Sequence, residues 1–185
     1  PRMAIEPVLG DYFEHWPQVA EGRRQVAMLL GSNLGNLDEH GAVKLLQRVH
    51  SNLRPGDLVL LGLDLVKDPA LLHAAYNDST GVTAAFNLNL WARASREAGA
   101  DFDLSQWFHS AFYNAPLQRI EMHLVSRRAQ RVTVAGESFE FAEGASVHTE
   151  NSYKYTVAGF QALAREAGFS PAACWTDRAN RFALH

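Results

Sequence analysis

The chain has 185 residues, a net charge of -3, and 47% hydrophobic against 20% charged residues. That length supports one domain with a sizeable core, and the balance is that of an ordinary globular protein. The slight acidity, spread as mixed signs, argues against nucleic acid or an anionic membrane surface as partner, since both favour basic faces. No apolar run approaches the roughly 20 residues that cross a bilayer. The opening "PRMAIEPVLG" lacks a signal-peptide core, so the expected compartment is the cytoplasm. The lone Cys174 has no partner for an internal disulfide and reads as a core thiol rather than a nucleophile.

In chain order, "MAIEPVLGDYF" reads as a short strand ending near Gly10, and Gln25 to Leu30 as a second, leaving through the glycine loop "GSNLGN". Val43, Leu45, Leu46 and Val49 recur at near-helical spacing, which predicts a helix over 38–53. After the turn "RPGD", the run "LVLLGLDLV" has the continuous apolar character of a strand buried on both faces. Asp68 followed by Pro69 starts a helix, and "GVTAAFNLNLWARASREAG" is another, ending at Gly99. This alternation implies a parallel sheet covered by helices. The next segments, "SQWFHSAFYN", "LQRIEMHLVSRR", "QRVTVAG" and "ESFEFAEG", are strand-like; in "RIEMHLV", Ile120, Met122 and Leu124 alternate with polar neighbours. A coarse boundary therefore falls at 99–103. Val157, Phe160, Leu163 and Ala164 share one face of a late helix that Thr156 can cap, and "ACWTD" and "RFALH" read as final strands.

The order resembles the later half of a doubly wound fold, yet no G-x-G-x-x-G follows a strand, and "GSNLGN" has two glycines at another spacing. In open α/β sheets ligands bind beyond the carboxyl ends of strands. Asp11 and Tyr12, then Ser32, Asn33 and Asn36, then Asp64, Lys67 and Asp68 occupy such positions. Each also has a plain structural use: Asp68 as a helix cap, Asp11 in an Asx turn, Lys67 as a solvated charge. The eight histidines are scattered, without H-x-x-x-H or paired cysteines. His148 and Glu150 form a pair expected on one strand face with no third ligand, so no metal is expected. There is no G-x-S-x-G elbow. The stretch "HTENSYKY" places an acid, an amide and a hydroxyl in a row before an apolar helix, which suits either a cap or a pocket for a small polar molecule.

Taken together, "LLGSNLGNLD", "LGLDLVKDPALLHAAYNDSTGVTAAFNLN", "GADFDL", "RIEMHLVS", "HTENSYKY" and "CWTD" resemble the S-adenosylmethionine-dependent histidine-specific Nα-methyltransferases of ergothioneine biosynthesis. The resemblance implies an α/β fold: a class I Rossmann-like sheet lacking its N-terminal strands, plus a smaller α+β substrate-binding part. Residues 1–99 would be the later half of the Rossmann-like domain, 100–150 the antiparallel substrate-binding part, and 151–185 the final helix and strands. The implied reaction methylates the α-amino nitrogen of L-histidine to hercynine, with S-adenosylmethionine as donor. By the same resemblance Gly10, Asp11 and Tyr12 hold the donor's adenine, Asn36 and Tyr76 the substrate carboxylate, Glu150 and Ser152 the imidazole, and Phe86 lines the pocket. The Glu-x-Ser spacing suits this use, because side chains two apart on a strand point the same way.

The family's amino-terminal half has no counterpart here, so the chain is expected to be a fragment, inactive alone, that self-associates or pairs with that missing half. Two other functions stay open: a non-catalytic binding or assembly module, and methylation of a ring nitrogen of a thiolated histidine.

Overall fold

The computed structural model describes residues 4–11, 16 and 23–185. Strand β1 (Val26–Leu29) leads into a single 3-10 turn, Asn33–Asn36, and then α1 (Glu39–Ser51). Asp38 caps α1 by accepting from Gly41 N at 2.7 Å, and Arg48 and His50 lie in its last turn, where positive charge suits the helix dipole. Strand β2 (Leu58–Asp64) follows, then α2 (Pro69–Tyr76), capped by Asp68 through Ala70 N at 2.8 Å, and α3 (Val82–Ala98). Five antiparallel strands come next: β3 (Trp107–Asn114), β4 (Arg119–Ser126), β5 (Gln130–Val134), β6 (Glu137–Phe141) and β7 (Ser146–Tyr153). The chain closes with α4 (Val157–Glu166), capped by Thr156, and the short strands β8 (Trp175–Thr176) and β9 (Phe182–Leu184).

Two compact units result. The first joins residues 1–64 to 156–185, and the second is Leu65–Tyr155. The expected boundary at 99–103 lies inside the second unit, because α2 and α3 pack on β3.

In the first unit the sheet order is β1-β2-β9-β8. Among the described strands, β1 and β2 run parallel; β9 is antiparallel to β2, pairing Gly62 with Leu184 and Asp64 with Phe182, and β8 is antiparallel to β9. The sheet is therefore mixed where the strand–helix alternation had implied a parallel one. The late strands form a hairpin, so one of them must run against β2. Leu61 and Leu63 are buried, but Leu58 at the start of β2 is half exposed, so only part of that strand is covered on both faces. Residues 4–11 are exposed and carry no regular structure, where a strand was expected; no described strand lies alongside to pair their backbone groups. Gly31 adopts φ 82°, and a Cβ on Gly62 would sit 2.9 Å from the Phe182 ring. Gly31 thus supplies the positive φ of the turn after β1, and a side chain at Gly62 would displace the Phe182 ring.

In the second unit β4 is the central strand of the sheet β3-β4-β7, and β5 and β6 form a hairpin. Leu72, Ala111, Ile120 and Met122 make one core cluster, joined by Tyr76 and Tyr113. Trp107, Leu124 and Val132 make another, with Trp91 stacked on Phe102 at 4.1 Å and 7°. Such aromatic pairs contribute about 0.5–1.5 kcal/mol beyond their burial. Ile120, Met122 and Leu124 thus face the helices, as the alternation predicts.

Candidate active site

Residues directly opposite each other in a sheet share a face. Ser152 pairs with Ile120 and Glu150 with Met122. Both side chains of the Glu-x-Ser step therefore lie on the face that α2 and α3 cover. The register then slips at Met122/His123, so that His123 pairs with His148 and Thr149 is the extra residue of a β-bulge. Thr149 Oγ1 donates to Met122 O at 2.9 Å, satisfying a carbonyl at the bulge. The bulge turns His148 to the opposite face. The expectation that His148 and Glu150 share a face is corrected by this one inserted residue.

On the covered face the polar groups converge. The Tyr76 hydroxyl lies 2.7 Å from Ser152 Oγ. Lys154, only 2% exposed, donates to Ser152 Oγ at 2.7 Å and to the Tyr76 hydroxyl at 2.9 Å, with its ammonium 4.9 Å from the Tyr76 ring centre. Burial pushes the Glu150 carboxyl above its ordinary pKa, and the positive charge of Lys154 pulls the other way. Burial likewise raises the Tyr113 phenol against the same lysine. The result is a partly desolvated cluster in which the Glu150 carboxylate, the Tyr76 and Ser152 hydroxyls and the Lys154 ammonium share one face. It can accept an N–H and exchange hydrogen bonds with a second polar atom.

Three residues outside the expected set hold Tyr76 there. Asn77, just past α2, clamps β3: its Nδ2 donates to Ala111 O at 3.0 Å and its Oδ1 accepts from Ala111 N at 3.3 Å. His109 Nε2 lies 2.8 Å from Tyr76 O, and Asn87 Nδ2 lies 3.0 Å from His109 Nδ1. A carbonyl only accepts, so Nε2 carries the proton and Nδ1 receives from Asn87, which fixes a neutral tautomer. Asn87, 1% exposed, also donates to His123 O at 3.1 Å. Asn77 and Asn87 both stand inside the quoted "AAYNDSTGVTAAFN", so the signal was present; only the fold shows that they are struts.

The other expected residues are more scattered. Phe86 sits on α3 and is 64% exposed. Asn36 ends the 3-10 turn of the first unit, exposed. Gly10 and Asp11 are exposed in the irregular segment 4–11, and Tyr12 lies outside the described residues. Of the three strand-end groups, two meet: Ser32 Oγ accepts from Asp64 N at 3.0 Å. Asp68 does the plain work of a cap.

On the opposite face of β4, Glu121, His123 and His148 bring one ligand atom each within 4.8 Å of one another. His148 thus meets Glu121 and His123 of β4 in place of the expected Glu150. Their arrangement is that of an ion-pair ladder. Glu121 Oε1 accepts from Arg119 at 2.7 and 2.9 Å and from Asn114 at 2.9 Å. Burial raises the Glu121 pKa, but these partners and His123 outweigh it and hold the group low. The His123 and His148 rings stack at 4.7 Å and 9°, so their in-plane lone pairs run side by side instead of converging. In the first unit, an apolar cavity of about 650 Å³ is lined by Leu58, Phe160, Phe169 and Trp175 and by none of the expected residues. Its acid, Asp57, is already engaged by Gln25 N and Arg54 N, both at 2.9 Å.

A helix-flanked mixed sheet in the first unit and a polar wall on the covered face of the second suit the Rossmann-like methyltransferase class of protein. Within it, the chain belongs to the histidine-specific, S-adenosylmethionine-dependent methyltransferases, whose family model matches residues 1–185. It is 42% identical over 186 residues to a histidine N-alpha-methyltransferase of Mycolicibacterium smegmatis, covering 100% of this chain and 58% of that protein. A second, from Mycobacterium tuberculosis, is 40% identical over 182 residues, covering 97% of this chain and 57% of that protein. The chain thus spans somewhat over half the length of these relatives. Among solved structures, the CcbJ methyltransferase from Streptomyces caelestis superposes with a TM-score of 0.47 at 12% identity, covering 96% of this chain and 61% of that one.

Proposed function

We propose that the full-length protein transfers methyl groups from S-adenosylmethionine to the α-amino nitrogen of L-histidine. The observation that carries this reading is the placement of Glu150 and Ser152 on one covered face, Ser152 held by Tyr76 and Lys154. A carboxylate accepts from one imidazole N–H and the hydroxyl addresses the other ring nitrogen. Family membership and the identity to two histidine N-alpha-methyltransferases support it.

The donor supplies a methyl group already activated on sulfonium sulfur, so no nucleophilic side chain is needed. The protein's task is to hold a neutral amine in line with that methyl, and positioning of this kind is worth up to about 7–11 kcal/mol. An α-amine titrates near 8, so its neutral form is accessible without a strong base. Gly10, Asp11 and Tyr12 are the proposed adenine contacts, Asn36 a carboxylate contact, and Phe86 a pocket wall. Tyr76, expected at the carboxylate, has its hydroxyl proton on Ser152 and is proposed at the ring end of the site instead. No metal is proposed, and the cytoplasm is the proposed compartment; no helix among the described residues is long and apolar enough to cross a membrane. Among the described strands β1 is an edge of its sheet, with Val26 and Met28 exposed, which supports pairing with a further strand or a second copy.

The test is mass spectrometry on full-length protein incubated with the donor and L-histidine, with thiolated histidine in a parallel reaction. One to three added methyls on histidine are expected. Methylation of the thiolated compound alone, or of neither, overturns the reading.

A further inference from the structure

The Tyr76–Ser152–Lys154 cluster contains a hydrogen-bond count that decides which form of a ring it can take. Lys154 ends in an ammonium, which only donates. Its contacts at 2.7 Å to Ser152 Oγ and 2.9 Å to the Tyr76 hydroxyl therefore each occupy a lone pair on those oxygens. The two oxygens lie 2.7 Å apart, so one hydroxyl must donate to the other. A phenol is a much stronger acid than an alkyl hydroxyl, so Tyr76 donates to Ser152. Both lone pairs of Ser152 are then filled, and its own proton has to point elsewhere. Two residues back on the same face, Glu150 is an acceptor whose ionised form burial opposes and Lys154 supports.

We propose that Lys154 is a positioning residue that fixes Ser152 as a donor and Glu150 as an acceptor, so that the wall selects a neutral imidazole and disfavours imidazolium. The inference rests on the reading above, that Glu150 and Ser152 face the substrate ring. A neutral imidazole has one N–H for Glu150 and one bare nitrogen for the Ser152 proton. Imidazolium has two N–H groups, and the second meets a hydroxyl with no lone pair left to offer. Lys154 is itself 2% exposed and acts through its neighbours.

Lys154→Met keeps length and bulk, and replacing a buried charge by an apolar side chain of similar volume is often neutral for folding. L-histidine affinity is measured by calorimetry on full-length protein saturated with S-adenosylhomocysteine, at about pH 5.5 and about pH 8, either side of the ordinary imidazole pKa of about 6.5. The α-amine contributes equally to the pH dependence of every variant, so differences between variants report the ring. Wild type is expected to bind at least about tenfold more weakly at the lower pH, and Lys154→Met to cut that ratio to about threefold or less while weakening binding at the higher pH. Ser152→Ala should weaken binding at the higher pH, and the double variant should be no worse than the poorer single one. An unchanged pH ratio in Lys154→Met, or additive losses in the double variant, overturns the inference while the histidine reading stands. Wild type that does not bind L-histidine overturns both.

Discussion

Glu150 is pulled in two directions. Burial raises its pKa, and Lys154 opposes the rise. A carboxyl whose folded pKa stands above the unfolded 4.5 has its stability share intact below that value and loses it as pH rises through the folded pKa. At neutral pH the ionised group therefore costs stability, which the site accepts in exchange for an acceptor. Glu150→Gln is expected to melt higher than wild type at about pH 8, with the gain vanishing below about pH 4. Differential scanning fluorimetry across that range checks it; a lower melting temperature at pH 8 refutes the argument. Function moves oppositely: Glu150→Ala should weaken L-histidine binding at least about tenfold, since a hydrogen bond to a charged group is worth about 1.5–3 kcal/mol. Unchanged affinity in titration calorimetry would show that the ring lies elsewhere. That Glu150 and Ser152 share a face was readable from their spacing, because a period of two holds along a regular strand, while their expected role came from the family resemblance. His148 was not, since a bulge at Thr149 breaks that period and its signal is the partner strand's register, not the local sequence.

At the level of elements, the start of α3 depends on Asp78. Its carboxylate accepts from Val82 N at 2.9 Å and Thr83 N at 2.8 Å, and the Thr80 and Thr83 side chains and these backbone bonds hold its pKa far below the usual 3.8. A depressed carboxyl gives stability that is present above the unfolded pKa and lost as pH falls through the folded one. Asp78→Ala should fray the first turn of α3 and lower the melting temperature at neutral pH, with the difference from wild type shrinking in strong acid; an equal melting temperature at both would remove Asp78 as a cap. Further along α3, Asn87→Ala removes the donor to His109 and to His123 O. Leaving buried groups unpaired costs about 1–3 kcal/mol, and chemical denaturation should show a loss of that order. Helices α1 to α4 were legible because their caps and apolar periodicity are local. The described residues 4–11 do not form the expected strand, because a strand is completed by a neighbour and no described strand lies beside them.

On the scale of the molecule, the second unit is one uninterrupted stretch whose ends meet. Leu65 bridges Tyr155, and Val66 N donates to Tyr155 O at 2.9 Å. It has its own cores around Ile120 and Trp107. Adjacent termini and a private core are the marks of an insertable domain. The excised stretch Leu65–Tyr155 is expected to fold, giving dispersed amide resonances and a cooperative melt; a chain that stays unfolded would show that the two units stabilise each other. The sequence placed a boundary at 99–103, where the pattern changes from helix to strand, but composition marks where an element type changes and not which elements pack together. What the sequence by itself determined was local: caps, turns, helix faces, the alternation of β4, and the motifs that carry the family. The tertiary structure decided the rest, namely the mixed sheet, the unit boundaries, the face on which His123 and His148 lie and the lysine that bonds Ser152 and Tyr76. Those depend on which strands pair and in what register, and pairing energy is shared between segments far apart in the chain.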